Sequence, residues 1–183
     1  MNRKAVFQYV LALAAAFMLG CVGTLALSYI DRHEIAPLEG GRSVAFSDFG
    51  FSLSVPDDAV VLDQTQESLE GGNDVLYAGT ITSDEDILYL FIYENAAGDD
   101  LAAHEQQDVV THYMSAGATD VRMRKFGGRP FICYRANVLF EEGRVEVWDS
   151  CETWNSEFQI VFETQAPPER VLPILATITF ATP

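Results

Sequence analysis

The segment that decides the fold is residues 131–151, which have the sequence FICYRANVLFEEGRVEVWDSC. At its centre, residues 140–144 have the form of a three-residue hairpin loop, a type I turn closed by a glycine in the left-handed region. Phe140 then pairs with Arg144, and counting back along both strands places Cys133 opposite Cys151. This segment is therefore predicted to be an antiparallel hairpin with two cysteines in register.

The two facing cysteines predict a disulfide bond. An odd number of positions separates them from the hydrogen-bonded pair at the turn, so they form a non-hydrogen-bonded pair with Cα atoms about 4.5 Å apart. That separation suits a disulfide in an oxidising compartment, whereas in a reducing one Cys133 and Cys151 would be small buried hydrophobes. The same register pairs Arg135 with Asp149, and we expect them to form a partly buried, structural ion pair.

A second turn extends the hairpin into a sheet. Asn155-Ser156 has the chemistry of a two-residue turn, which places Cys151 near Ile160 and Asp149 near Phe162. Both faces of this sheet carry large apolar side chains, and we therefore expect helices on both sides of it. One face collects Phe131, Cys133, Leu139, Val145, Val147, Cys151, Phe158, Ile160 and Phe162, and the other collects Ile132, Tyr134, Val138, Phe140, Trp148, Trp154 and Val161.

The chain before residue 131 adds further strands. Alternating apolar residues over 46–55 predict a first strand, and a polar loop follows over 63–74. Two runs, 75–82 and 87–94, flank a short polar segment and predict a hairpin. The second run is apolar on both faces, which is typical of a central strand that is covered on both sides.

Two helices complete the predicted order of elements. Asp99 and Gly117 have the chemistry of an N-cap and a C-terminal glycine around a periodic segment, and residues 121–126 follow as a strand. Residues 168–176 are predicted to form a short helix that leads into residues 177–180. The order β-β-β-α-β-β-β-β-α predicts an α+β fold with an antiparallel β-sheet and helices on both faces, an α/β/α sandwich.

A long uncharged segment precedes this domain. Residues 5–30 carry no charge and follow Arg3 and Lys4. A helix rises about 1.5 Å per residue, so this run is long enough to cross a hydrocarbon core of roughly 30 Å, and we expect an uncleaved signal anchor. Because positive charge stays on the cytoplasmic side, the predicted protein is a single-pass protein of the cell membrane with a cytoplasmic N-terminus and an extracytoplasmic domain.

Two alternatives to the anchor remain open. Met18-Leu19-Gly20-Cys21 resembles a bacterial lipobox, in which cleavage leaves a lipidated Cys21 as the new N-terminus. Ala26-Leu27-Ser28 has the small residues of a signal-peptidase site, with cleavage after Ser28. With the uncleaved anchor, the chain divides into a transmembrane segment over 1–30, a stalk linker over 31–44 and one domain over 45–183.

The outer part of the chain is strongly acidic. Of the 11 Lys and Arg residues two precede the apolar segment, so the part beyond residue 30 has nine of them against 27 Asp and Glu, a formal charge of 9 − 27 = −18. Nucleic acid and anionic lipid head groups are poor partners for such a surface. A basic protein surface, a cationic peptide or a divalent cation would suit it, and solubility alone also accounts for the charge.

No residue has a recognisable catalytic, cofactor-binding or metal-binding role. His104, Asp108 and His112 are spaced four residues apart on the predicted helix, but ligands along one helix diverge, so we expect a solvated stripe there. GxSxG, HExxH and glycine-rich phosphate-loop motifs do not occur in the sequence. Carboxylates can still meet in space as an acid and a base, which keeps a hydrolase open as an alternative.

The two ends of the domain resemble the Mog1/PsbP-like superfamily. The resemblance rests on DFGFSLSVPD over residues 48–57 and VLPILATITF over residues 171–180, and it covers about residues 46–180. It implies an antiparallel sheet sandwiched between helices. It also implies a non-enzymatic binding or accessory role, similar to bacterial members that are membrane-anchored proteins or lipoproteins of unknown role, and it carries over no functional residue.

Together these expectations define one class of function. We expect a membrane-anchored, extracytoplasmic domain that contacts a protein partner of an envelope complex and has no catalysis, cofactor or metal. A carboxylate-dependent hydrolase is one alternative, and it requires a deep cleft in which carboxylates of raised pKa converge. A sensor of a small ligand or cation is the other alternative.

Overall fold

The part of the chain that the structure describes comprises residues 35–84, 86–139 and 143–181 of a computed structural model. Within these ranges it is a mixed α+β domain with ten strands, three α-helices and two antiparallel sheets. The predicted anchor, Cys21 and Ser28 lie outside the described residues. The helices within the described ranges are too short or too polar to cross a bilayer.

Along the described chain, runs of one to four strands are separated by three short α-helices. A small sheet has the strand order β1-β2-β10, and a larger sheet has the order β3-β4-β5-β9-β8-β7-β6. The elements are β1 (Arg42–Phe46), β2 (Phe51–Val55), β3 (Val60–Asp63), α1 (Thr65–Glu70), β4 (Tyr77–Ser83), β5 (Asp86–Glu94), α2 (Gln106–Ser115), β6 (Thr119–Phe126), β7 (Arg129–Leu139), β8 (Val145–Trp154), β9 (Phe158–Thr164), α3 (Pro168–Leu175) and β10 (Thr179–Phe180).

The predicted first strand is a hairpin of two strands, β1 and β2. A 3₁₀ turn and Gly50, which has φ of +68°, reverse the chain, so that Phe46 pairs with Phe51 and their rings stack with centroids 4.8 Å apart. Glycine adopts this left-handed conformation without steric cost. Residues 42–44, which fall in the predicted stalk linker, form the start of β1.

The predicted register of the central hairpin is confirmed for its described residues. Strands β7 and β8 pair Cys133 with Cys151 and Arg135 with Asp149. The predicted register of β8 with β9 is wrong by two residues, because Cys151 pairs with Phe162 rather than lying near Ile160. Side chains alternate along a strand, so a shift of two leaves every residue on its predicted face.

The loop between β8 and β9 is longer than the predicted two-residue turn because of the side chain of Asn155. Its Oδ1 atom accepts hydrogen bonds from the backbone N–H groups of Glu157 at 2.8 Å and Phe158 at 2.7 Å. The backbone N–H of Asn155 in turn donates to the carbonyl of Phe158 at 2.9 Å. Asparagine stabilises turns through this type of side-chain hydrogen bond, and here it closes a loop wider than a two-residue turn.

The predicted helix over residues 99–117 is shorter than expected. Asp100 caps a 3₁₀ turn over Leu101–Ala103 by accepting a hydrogen bond from the N–H of Ala102, and α2 begins only at Gln106. The predicted polar loop over 63–74 contains helix α1. In both segments a carboxylate near the start accepts a hydrogen bond from a backbone N–H group. Such bonds favour short local structure over one long helix.

The core has two parts, one on each face of the larger sheet. On one face the small sheet and α3 pack against the larger sheet through buried residues such as Leu53, Phe131 and Leu175. On the other face α2 and the 3₁₀ turn before it pack on the β6–β7 end through Leu101, Val109 and Ile132. The prediction of one sheet is therefore wrong, because strands β1, β2 and β10 form a second sheet that helps to cover the first.

Candidate functional site

The cysteines and the ion pair of the central hairpin lie where the sequence places them. Cys133 and Cys151 are at disulfide distance, with their sulfur atoms 2.06 Å apart and their Cα atoms 4.1 Å apart. Arg135 donates to both oxygens of Asp149, from Nε to Oδ1 and from Nη2 to Oδ2, each at 3.1 Å. This bidentate geometry fixes both side chains on the face that carries α3.

The three side chains weighed as metal ligands do not share one helix. His104 precedes α2, whereas Asp108 and His112 lie within it. The Nε2 atom of His104 contacts the carboxylate of Asp99 at 2.6 Å, and this hydrogen bond lowers the pKa of Asp99. Among the described residues, His, Cys, Asp and Glu form no group of three that is arranged to hold a metal ion.

A row of aromatic rings lies on the other face of the larger sheet. Tyr89, Phe91 and Tyr93 alternate along β5, with ring centroids 6.4 Å and 6.3 Å apart, and Trp148 of β8 lies 5.4 Å from Tyr89. All four side chains are half-buried, and none belongs to either core cluster. Together with Glu163 of β9 we call these residues the aromatic face.

Within the part of the chain that the structure describes, no helix covers the aromatic face, because the helices there pack mainly on other strands. The main contacts of α2 are with β6 and β7, those of α3 are with β2, and those of α1 are with β4. The prediction that residues 87–93 are covered on both sides is therefore wrong for one side. Leu88, Leu90 and Ile92 are buried, whereas the alternate side chains on the aromatic face are half-exposed and Ile87 is exposed.

Two carboxylates lie on this side of the sheet in neighbouring strands. Glu163 is paired in register with Tyr89 on one side and Ser150 on the other, and Glu152 follows Ser150 two positions along β8. Glu152 is only 4% exposed. Its oxygens accept hydrogen bonds from the hydroxyl of Tyr113 at 2.7 Å and the side-chain amide of Gln159 at 2.5 Å. Glu152 is therefore fully engaged within the domain.

Among the described residues, Glu163 has a single, long side-chain hydrogen bond, to Ser150. Burial raises its pKa, and repulsion from Glu152 raises it further, while the hydroxyl of Ser150, which donates at 3.5 Å, opposes the shift. Within the described ranges, the ion pairs that form do not involve Glu163. The pKa of Tyr93 is also raised, first by burial and then by Glu163 and Glu152. The aromatic face thus holds a partly buried carboxylate beside electron-rich rings.

Replacing Glu163 with glutamine is expected to stabilise the protein more as the pH rises. The folded-state pKa of Glu163 lies above its ordinary value of 4.5, so its contribution to stability is fully present below the unfolded-state pKa and is lost as the pH rises through the folded-state pKa. The difference in free energy of unfolding between Glu163→Gln and wild type should therefore grow from about pH 4 to about pH 8. Urea titrations across this range measure it, with Glu169→Gln in α3 as the control. A difference that does not vary with pH would contradict the assignment.

Glu163, whose pKa is raised, and a cavity beside α3 lie on opposite sides of the larger sheet. A cavity of about 170 Å³ is lined by Cys133, Cys151 and Arg135, on the face that carries α3. Glu163 lies on the aromatic face. Glu163 therefore does not line this cavity.

The sequence places the aromatic residues of this face in strands but does not by itself identify Glu163. Residues 87–93, which include Tyr89, Phe91 and Tyr93, are predicted to be covered on both sides. The sequence does contain a signal for Glu163, because it lies two positions after Val161 and therefore on the same face of the strand. That spacing places a charge on a face that otherwise carries apolar or aromatic side chains.

The two antiparallel sheets and the few short helices define a PsbP-like fold. The chain is similar to the solution structure of cyanobacterial PsbP (CyanoP) from Synechocystis sp. PCC 6803, with a TM-score of 0.50 and 16% identity, covering 81% of this chain and 95% of that one. A crystal structure from Bacteroides thetaiotaomicron VPI-5482 is also similar, with a TM-score of 0.44 and 13% identity, covering 79% of this chain and 50% of that one. No protein-family model and no curated protein sequence matches the chain.

These similarities bear on the fold alone. The resemblance inferred from residues 48–57 and 171–180 is confirmed at that level. In the structure the two segments lie side by side, because β10 pairs with β2 through Thr179 and Ser52, whose hydroxyls are 2.8 Å apart. The motifs that carry the resemblance therefore belong to the small sheet and to helix α3, on the opposite side of the larger sheet from the aromatic face.

Proposed function

We propose that this chain is a membrane-anchored, extracytoplasmic, non-catalytic binding domain, and that its aromatic face docks a basic protein partner of an envelope complex. The observation that carries the proposal is the row of half-buried rings beside Glu163, none of which belongs to a core cluster. Soluble domains rarely leave a contiguous apolar surface open to water, and such a surface marks an interaction site. Aromatic residues are also enriched at the centre of protein interfaces.

The apolar character of this surface extends to the edge of the sheet. Leu62 of β3 is 50% exposed and pairs with Thr80, which in turn pairs with Tyr89. Cross-strand partners project on the same face of a sheet. Leu62 therefore extends the aromatic face towards the edge strand, where Val60 is 53% exposed. A partner that covers the rings would also bury these two side chains.

The charge of the site defines the chemistry of the partner. A lysine or arginine that reaches Glu163 would pair with its carboxylate and lie against the neighbouring rings, where cations are attracted to the aromatic faces. The formal charge of −18 beyond residue 30 favours the approach of a basic partner over long range. A second copy of this chain would instead bring like charges together.

Photo-crosslinking of the full chain in its own membranes identifies the partner. A photoreactive phenylalanine derivative is placed at position 91, on the aromatic face, and in a separate variant at position 114, where Met114 is 61% exposed on α2. We expect position 91, and not position 114, to capture one protein with a basic contact surface. The captured protein is then purified and titrated with the full chain in detergent.

Binding by variants tests whether the aromatic face is the docking site. Phe91→Ala is expected to weaken binding by about 30-fold, the effect of losing a residue at the centre of an interface. Glu163→Lys is expected to weaken it further, and Glu169→Lys on the opposite side serves as the matched charge control. Capture of only a second copy or of lipid, or wild-type affinity in both Phe91→Ala and Glu163→Lys, would overturn the proposal.

A further inference from the structure

Helix α2 and the aromatic face lie on the same side of the larger sheet. The hydroxyl of Tyr113 in α2 donates a hydrogen bond to Glu152 of β8 at 2.7 Å. Glu152 pairs with Val161, and Val161 pairs with Phe91 of the aromatic face. Residues that are directly opposite in neighbouring strands project on the same side of a sheet. The domain therefore covers the β6–β7 end of this side with a helix, and the aromatic face is the adjacent part of the same surface.

The width of this adjacent part suits one helix. It extends over the neighbouring strands β8, β9, β5 and β4. Strands lie about 4.8 Å apart, so the three intervals from β8 to β4 span about 14 Å. An α-helix with its side chains is about 10–12 Å across. A single helix lying beside α2 would therefore cover the rings of β5 and the carboxylate of β9.

The length of the aromatic face also fits a helix. From Ile87, which is 37% exposed, to Tyr93 the strand β5 advances by six residues, or about 20 Å at 3.4 Å per residue. A helix of about 13 residues has the same length. The rings of Tyr89, Phe91 and Tyr93 are 6.4 Å and 6.3 Å apart, close to the rise of about 6 Å over four helical residues. Successive side chains on one face of a helix can therefore pack against successive rings.

The position of Glu163 defines where such a helix carries charge. Glu163 pairs in register with Tyr89, so its carboxylate lies one strand to the side of the row of rings. A lysine or arginine at the border of the apolar stripe of a helix over β5 would reach it. Amphipathic helices have this arrangement, with apolar residues recurring every three to four positions and polar residues beside them.

We infer that the partner covers the aromatic face with an amphipathic helix of about 13 residues, which places a lysine or arginine beside Glu163. This inference rests on the proposed function, because it specifies the element with which the basic partner docks. The helix lies over β5 and β9, next to α2. Helices then cover both ends of this side of the larger sheet, which is the usual way of burying a sheet face in an α+β fold.

Photo-crosslinking from three positions measures the conformation of the docked segment. The photoreactive phenylalanine derivative is placed at position 89, 91 or 93 in separate variants of the full chain, with position 169 in α3 as the control on the opposite side of the sheet. Mass spectrometry then locates the labelled partner residue. Residues three or four apart share one face of a helix, whereas residues two apart share one face of a strand. We expect each step of two along β5 to move the label by three or four residues, in one direction along one segment.

Proline substitutions in the purified complex test the helix independently. A proline at a solvent-facing position in the middle of the labelled segment should weaken binding by about 100-fold, because it removes a helical hydrogen bond and clashes with the preceding turn. A proline at the first residue of the segment is the matched control and should bind as wild type, since that position has no helical hydrogen bond to lose. Thermal melts establish that each partner variant is folded before titration.

The outcomes separate this inference from the proposed function. A label that moves by two residues per step, labels scattered over separate segments, or full affinity of the central proline variant would overturn the helix but leave docking at the aromatic face intact. Labelling only of a second copy, or only of residues 1–34 of this chain, would overturn both. The absence of any label from positions 89, 91 and 93 would overturn the proposed function, and this inference with it.

Discussion

Replacing Phe131 with alanine is expected to lower the free energy of unfolding by about 3–5 kcal/mol. Phe131 is fully buried at the junction of the two sheets. Its ring centroid is 5.2 Å from that of Phe126, 6.5 Å from that of Phe162 and 6.4 Å from that of Phe180. Because β10 belongs to the small sheet, the loss would leave a cavity between the sheets and loosen their contact.

A loss of this size is large compared with the 5–15 kcal/mol by which most domains are stable. Urea unfolding of the full chain in detergent, followed by tryptophan fluorescence, measures it. Phe158→Ala is the matched control, because Phe158 is the half-buried first residue of β9 and loses less buried area. Equal losses in the two variants would contradict the central position assigned to Phe131.

The central hairpin was predictable because its register follows from local chemistry. The sequence of residues 140–144 favours one turn type, and counting from that turn places Cys133 opposite Cys151 and Arg135 opposite Asp149, as the structure pairs them. The register of β8 with β9 was not predictable in the same way. It depends on how the side chain of Asn155 bonds to its own loop, and several turn lengths suit that sequence.

The two-sheet architecture depends on contacts between residues distant in the sequence. Periodicity places Phe46 and Phe51 in strand-forming segments, but it does not show that Gly50 reverses the chain between them. Nor does it show that Ser54 and Thr177, 123 positions apart, are joined by a hydrogen bond from the Ser54 N–H to the Thr177 hydroxyl at 2.7 Å. Tertiary contacts of this kind decide which strands share a sheet.

The aromatic face illustrates a different limit of sequence reasoning. Apolar side chains on both faces of a strand predict that both faces are buried, but they do not identify what buries them. Helix α2 begins at Gln106 and packs on β6 and β7. Its main contacts therefore do not include the aromatic side chains of β5. The pattern of residues 87–93 therefore predicts that both faces of the strand are buried. We propose that a partner protein buries the aromatic face.

Reducing the Cys133–Cys151 pair is expected to lower the free energy of unfolding by about 3 kcal/mol. The two residues are separated by 18 positions, and closing a loop of that length restricts the unfolded chain far more than the folded one. Urea unfolding with and without dithiothreitol measures the difference. The Cys133→Ala, Cys151→Ala double variant is the control, and its unfolding should not respond to dithiothreitol. Cys21→Ala should respond as wild type does.

Intact mass distinguishes a bonded pair from two thiols. Oxidation removes two hydrogens, so the unreduced chain should weigh about 2 Da less than the reduced one. A chain without this deficit, or a wild type whose unfolding ignores dithiothreitol, would contradict the prediction. The same spectrum separates an uncleaved chain from one that is lipidated at Cys21 or cut after Ser28.

The bond also tests the expected topology, because its formation depends on the compartment. If residues 5–30 carry the domain out of the cytoplasm, the native chain is oxidised, whereas a chain that lacks residues 1–30 stays among reducing thiols. We expect the truncated chain, isolated under thiol-trapping conditions, to carry two free thiols and to gain about 3 kcal/mol on oxidation in vitro. Full oxidation of the truncated chain inside the cell would show that the bond forms without export, and the link between the uncharged segment and the cysteine pair would then fail.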